Sequence, residues 1–102
     1  MLLVTAENFE QEVKNCTIPV VCDFWATWCP PCRILKPIIQ TLSDEANDQY
    51  KVVMVDADQS LDLCSEYKIA SLPTVIIFKN GVESQRFVGV QSKEKFLQAI
   101  QG

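Results

Sequence analysis

Apolar residues along this chain fall into runs of two kinds. The run Ile18–Ala26 (IPVVCDFWA) is nearly unbroken, β-branched and aromatic, the pattern of a strand buried on both faces. Lys51–Ala57 (KVVMVDA) and Thr74–Lys79 (TVIIFK) share that character. From Cys32 to about Ala46 the period changes. Ile34, Leu35, Ile38, Ile39 and Leu42 recur at helical spacing, with Arg33, Lys36, Gln40 and Asp44 outside. Pro37 lies within this stretch, removes one amide donor and predicts a kink. Leu2–Val4 is a short apolar start. Thr5 is placed to cap a helix through about Val13, with Phe9 and Val13 one turn apart. Ser60 is placed to cap a short helix to about Tyr67. Asn80-Gly81 signals a hairpin into a strand that ends near Val88. Ser92 opens a last helix with Phe96, Leu97 and Ile100 inward.

The predicted order is β-α-β-α-β-α-β-β-α, an α/β fold with one mixed central β-sheet flanked by helices on both faces. Helical crossovers predict mainly parallel pairing among the first strands, and the hairpin adds an antiparallel one. A length of 102 residues suits one domain over 1–102, and 48% apolar residues suffice for a packed core. Ligands of such sheets bind beyond the carboxyl ends of the strands. The strand Ile18–Ala26 delivers Trp28, Cys29, Pro30, Pro31 and Cys32 to that edge, where the next helix begins.

Charge narrows the partners. Thirteen acidic residues against nine basic ones leave a net charge of −4, with no local Lys/Arg cluster. Nucleic acid and anionic membranes are poor partners for such a surface. The start MLLVTAENFEQEV carries neither a basic segment nor a signal-type apolar stretch. No segment approaches the ~20 apolar residues of a membrane span. A cytoplasmic, monomeric protein is the expectation.

The five cysteines stand at 16, 22, 29, 32 and 64, and there is no histidine. An odd count argues against a fully paired secreted framework. The missing histidine removes Cys–His nucleophilic catalysis, histidine-based zinc sites and imidazole relays. Cys16, Cys22 and Cys64 read as small buried hydrophobes, Cys16 being the most exposed of them. Cys29 and Cys32 are different. Two cysteines at i and i+3 across the first turn of a helix have nearly the spacing a disulfide needs. The loop between them is too small for a stabilising staple, so the pair suits repeated opening and closing. A zinc or iron–sulfur site would need four ligands, which the remaining isolated cysteines do not supply.

At the amino end of a helix, unpaired N–H groups favour a negative charge by roughly 0.3–2 kcal/mol, which draws a Cys29 thiol below its ordinary pKa. Cys29 is expected to be the exposed member and Cys32 the inward one. Pro30 and Pro31 lack N–H groups that the first turn could not use anyway, and they restrict the loop. The Cys32 amide remains to donate to the Cys29 sulfur. Asp23 is anomalous within so apolar a strand. Desolvation there raises its pKa, and a carboxylate so tuned accepts a proton near neutrality.

The stretch D-F-W-A-T-W-C-P-P-C resembles the active-site segment of the thioredoxin family, which usually has Gly-Pro between the cysteines. Pro37, Leu72-Pro73-Thr74, Phe78-Lys79-Asn80-Gly81 and Val88-Gly89 extend the resemblance along nearly the whole chain. The resemblance implies a thioredoxin-like fold and a protein-disulfide reductase with no bound cofactor, working through a redox-active Cys29–Cys32 disulfide. By it, Cys29 is the nucleophile, Cys32 resolves the mixed disulfide, and Asp23 transfers the proton. It also implies disulfide-containing protein substrates and a reductase, NADPH- or ferredoxin-linked. Pro73 resembles the family's cis-proline beside the dithiol, which would leave the Leu72 backbone free to pair with an extended substrate. Trp28, Pro30, Pro31, Leu72, Pro73, Val88 and Gly89 would then form an apolar substrate patch. Trp25 reads as packing. One departure stands out: Met54 occupies a position where many members carry lysine near this aspartate. Two rival readings remain, a disulfide oxidase or isomerase and a non-catalytic binding subunit with the same fold.

Overall fold

A computed structural model describes residues 1–102. The strands are β1 (Leu2–Leu3), β2 (Val20–Trp25), β3 (Lys51–Asp56), β4 (Thr74–Lys79) and β5 (Val82–Val88). The helices are α1 (Pro30–Asp44), α2 (Leu61–Glu66) and α3 (Lys93–Gln101), with a π-helical segment over Glu10–Lys14. The strands form one sheet in the order β1-β3-β2-β4-β5.

The order of elements matches the sequence reading; one pairing does not. β1 and β2 run parallel to β3, but β4 is antiparallel to β2 as well as to β5. The reason lies in α2. Its six residues span only about 9 Å, whereas a strand of β2's length spans about 20 Å. Such a helix cannot carry the chain back to the far end of the sheet. β4 therefore starts beside the end of β2, with Thr74 opposite Phe24. This brings Pro73 to the edge where β2 delivers its cysteines. The Leu72–Pro73 peptide bond is cis.

Residues alternate across the strands, so each face of the sheet has its own core. Val20, Cys22 and Phe24 of β2 pack on one face with Val53, Val55, Ile76 and Phe78, against Phe9, Val13 and Leu63. Aromatic rings close this face: Phe9 and Tyr67 both meet Phe78 edge-on, with centroids 5.7 and 5.4 Å away. Val21, Val52, Val75 and Ile77 face the other way, onto Leu35, Ile39 and Leu42 of α1 and Phe96 of α3.

The segment after Thr5 departs from the expected α-helix. Phe9 and Val13 are buried as predicted, but the Asn15 amide donates to the Glu10 carbonyl at 2.9 Å, a π-helical step. The Glu12 carbonyl, which an α-helix would give to the Cys16 amide, instead accepts from Lys51 Nζ at 3.0 Å. Gly81 of the hairpin backs onto this segment. A Cβ there would lie 2.2 Å from the Lys14 carbonyl oxygen, and its φ is +78°. Ser60 sits at the cap of α2 without capping it: its hydroxyl is buried and unpartnered. Ser92 does cap α3, accepting from the Lys95 amide at 3.3 Å. Pro37 lies inside α1 on its exposed side. No helix is long and apolar enough to cross a membrane.

Candidate active site

Helix α1 begins two residues earlier than the apolar period indicates, at Pro30, with both prolines in its first turn. Cys29 thereby becomes the residue that caps the helix, in extended backbone geometry. Its sulfur accepts from the Cys32 amide at 3.2 Å, the one donor that the prolines leave. Cys29 and Cys32 are joined as a disulfide, with Cα atoms 5.3 Å apart, well inside the range for an ordinary bridge. No acidic residue occupies the first turn of α1, so nothing there competes with a thiolate for the positive helix end.

The expectation that Cys29 is the exposed member fails for this oxidised form. Cys29 is 3% exposed and Cys32 5%. Both side chains form a small cluster with Ala26, against Trp25 and Leu72. Cys22 is buried as expected, whereas Cys16 and Cys64 are both half-buried; both pack against the core, and Cys64 also lines a surface groove.

Around the disulfide the predicted patch is largely assembled. Trp28 is 63% exposed and Val88 57%. Pro30 and Pro31 are exposed, Leu72 and Gly89 half-buried, and Pro73 buried. The Gly89 amide donates to the Pro73 carbonyl at 2.9 Å, tying the end of β5 to the start of β4. Gly89 has φ +89° and open space where a Cβ would point, so its backbone conformation, not crowding, calls for glycine. The Leu72 amide and carbonyl make no hydrogen bond to another group of the chain.

A sequence model of the thioredoxin family matches residues 1–102. The chain is 41% identical over 97 residues to a thioredoxin of Rickettsia bellii, covering 95% of this chain and 92% of the relative. It is 43% identical over 90 residues to thioredoxin 1 of Synechococcus elongatus, covering 88% and 84%. An M-type chloroplastic thioredoxin of Chlamydomonas reinhardtii shares 36% over 98 residues, covering 96% and 70%. The chain belongs to the thioredoxin family. It is a thiol–disulfide oxidoreductase that reduces disulfides, with Cys29–Cys32 as its redox-active pair. Thioredoxins carry no cofactor, and no group of three or more His, Cys, Asp or Glu residues here is arranged to hold a metal. Membership implies disulfide substrates and a reductase partner.

Within this thioredoxin fold, Asp23 is 1% exposed and its Oδ1 has no hydrogen-bond partner. Burial raises its pKa from the ordinary 3.8 to about 7. In register, Asp23 stands beside Met54 on β3 and Val75 on β4. Neither offers a charge, so desolvation acts without opposition. Asp23 also lies on the α1 face of the sheet, the face toward which α1 turns Cys32, because it alternates with Cys22 on the other side.

Three features escaped the sequence reading. Asp58 Oδ2 accepts from the indole N–H of Trp28 at 2.9 Å, which holds an exposed ring in place. Parallel pairing of β2 with β3 puts the loop after Asp56 at the dithiol edge, so the topology was the missing signal. Leu61, 69% exposed, widens the apolar surface beyond Trp28. Arg33 and Lys36 line a cavity with Cys32; in sequence they look like an ordinary outer helix face.

Proposed function

We propose that this thioredoxin is a cytoplasmic protein-disulfide reductase acting as a monomer through one domain over residues 1–102. In its cycle the Cys29 thiolate attacks a substrate disulfide and forms a mixed disulfide, expelling one substrate thiolate. Cys32 then attacks the Cys29 sulfur, releases the second substrate thiolate and leaves the Cys29–Cys32 bridge. Asp23 takes the Cys32 proton near neutrality. Trp28, Pro30, Pro31, Leu72, Pro73, Val88 and Gly89 receive the substrate, whose extended segment pairs with the free Leu72 backbone. A reductase, NADPH- or ferredoxin-linked, restores the dithiol.

The observation that carries this reading is the Cys29 sulfur at the opening of α1, accepting from the Cys32 amide in a turn without acidic residues. That arrangement stabilises an anion on Cys29 and not on Cys32. Both cysteines are nearly buried in the disulfide form, so the cycle requires that reduction open Cys29. Two measurements test this. A reductase-coupled assay on a protein disulfide should give steady turnover, and Cys32→Ser should halt at a covalent substrate adduct on Cys29. In the reduced protein, Cys29 should alkylate faster than Cys32. Equal alkylation, or turnover that survives a blocked Cys29, overturns the assignment.

A further inference from the structure

The two sides of the dithiol differ in charge. On the α2 side runs an apolar groove lined by Trp28, Leu61, Cys64, Ile69 and Leu72, with Asp58 as its charged residue. On the α1 side lies a cavity of about 250 Å³ whose walls are Trp25, Ala26, Thr27, Cys32, Arg33 and Lys36. Its charged groups are both cations. Neither forms an ion pair, although four of the chain's other basic side chains do. Arg33 is held at the rim by donating to the Thr27 carbonyl at 3.0 Å. Trp25, in the wall, keeps a buried indole N–H without an acceptor. The first turn of α1, free of acidic residues, adds the positive end of its dipole. In a chain of net charge −4, two unpaired cations beside the reactive disulfide form a local reversal of field.

We propose that this cavity is a carboxylate subsite, through which the protein favours disulfides that carry a negative charge next to the reactive sulfur. The proposal rests on the reductase reading above and adds a substrate class to it. Arg33 lies one helical turn from Cys29, its amide donating to the Cys29 carbonyl at 3.3 Å. A carboxylate seated between Arg33 and Lys36 therefore keeps the attached disulfide within reach of the attacking Cys29 sulfur, while the Asp58 side repels the same charge. Lys36 and Arg33 act by positioning; the reacting atoms stay the two cysteine sulfurs and the substrate disulfide. Two electrons pass from the dithiol to the substrate, whose S–S bond breaks into two thiols as the Cys29–Cys32 bond forms.

The test uses the full chain, reduced beforehand and freed of reductant, in single-turnover mixing with three small disulfides: dithiodiglycolate (anionic), bis(2-hydroxyethyl) disulfide (neutral) and cystamine (cationic). Intrinsic reactivities differ, so the readout is the anion-to-neutral rate ratio compared between proteins. The unaltered chain should exceed the Arg33→Gln/Lys36→Gln variant in that ratio by roughly three- to tenfold, the scale of two exposed ion pairs. The excess should shrink between about 0.01 and 1 M salt as the screening length falls, and Lys36→Arg should keep most of it. A second arm compares peptide disulfides with Glu or Gln beside the cysteine. A preference confined to this arm supports the subsite with a polypeptide as the source of the carboxylate. Equal ratios in unaltered and doubly substituted chains, in both arms, overturn the subsite and leave the reductase reading standing. Failure to reduce any of the disulfides overturns both.

Discussion

Cys22 and Asp23 are neighbours on β2, both buried and both ionisable, and they point to opposite faces of one sheet. The face that holds Cys22 is closed. Phe9, Phe24, Tyr67 and Phe78 pack over it, and burial pushes the Cys22 thiol well above its ordinary pKa, with the Asp23 and Cys64 charges adding to this. The group stays neutral and inert. The face that holds Asp23 is built from as many apolar residues, yet it leads up to the dithiol. The same desolvation places the carboxyl at about 7, where proton transfer is easy in both directions. Equal burial makes one group silent and the other useful because a thiol starts above neutrality and a carboxyl below it.

The largest contrast is between thiols. Cys29→Ser should reduce disulfide turnover to the uncatalysed background, whereas Cys22→Ala should keep turnover and cost roughly 0.5–3 kcal/mol of stability. Loss of turnover in Cys22→Ala with an intact fold would break the comparison. Next come two substitutions on β2 with opposite signs. Phe24→Ala on the closed face should destabilise by about 3–5 kcal/mol at any pH. Asp23→Asn should stabilise. Burial raises the folded pKa above the unfolded one, so between about pH 4 and 7 the folded state binds a proton that the unfolded chain has lost. Stability therefore falls as pH rises through that window, by about 4 kcal/mol in all, and is level above it. Asp23→Asn should remove this slope and recover up to that amount at pH 8, as read by denaturant unfolding across pH. A slope that survives the substitution assigns it to another group.

Met54→Lys sharpens the comparison further. A cation in register with Asp23 favours the carboxylate, so the limb of the pH–rate profile due to Asp23 should move down by about one pH unit or more. An unmoved profile would mean that Met54 does not govern that limb. The smallest effect belongs to the rim. Asp58→Ala removes the acceptor of the Trp28 indole and should cost about 1 kcal/mol or less in stability, with a few-fold weaker reaction with a protein disulfide. Tryptophan fluorescence and the rate constant read the two effects separately.

Much of this was legible in the residues. TVIIFK is strand β4 to the residue, and IPVVCDFWA contains β2 trimmed at both ends. Cys29-Pro-Pro-Cys32 announced a dithiol at a helix start, and the apolar run around Asp23 announced its raised pKa. The apolar period reaches back only to Cys32, because prolines carry no apolar signal; their lack of N–H groups, which suits a first turn, is what set the start of α1 at the motif. The π-helical step at Glu10–Lys14 was illegible: the Glu12 carbonyl it frees is taken up by Lys51, distant in sequence and adjacent in space.

What the chain determined by itself was local: which segments alternate or repeat with helical period, which cysteines lie within bridging distance, and which carboxylate is stranded among apolar neighbours. These follow from sterics and solvation over a few residues. The tertiary structure alone decided the antiparallel entry of β4, the seating of both sulfurs out of solvent, the tie between Trp28 and Asp58, and the meeting of Arg33 and Lys36 with Cys32 in one cavity. Each of these depends on which strand ends share an edge. That depends on whether a connecting helix is long enough to cross the sheet, and periodicity carries no record of it.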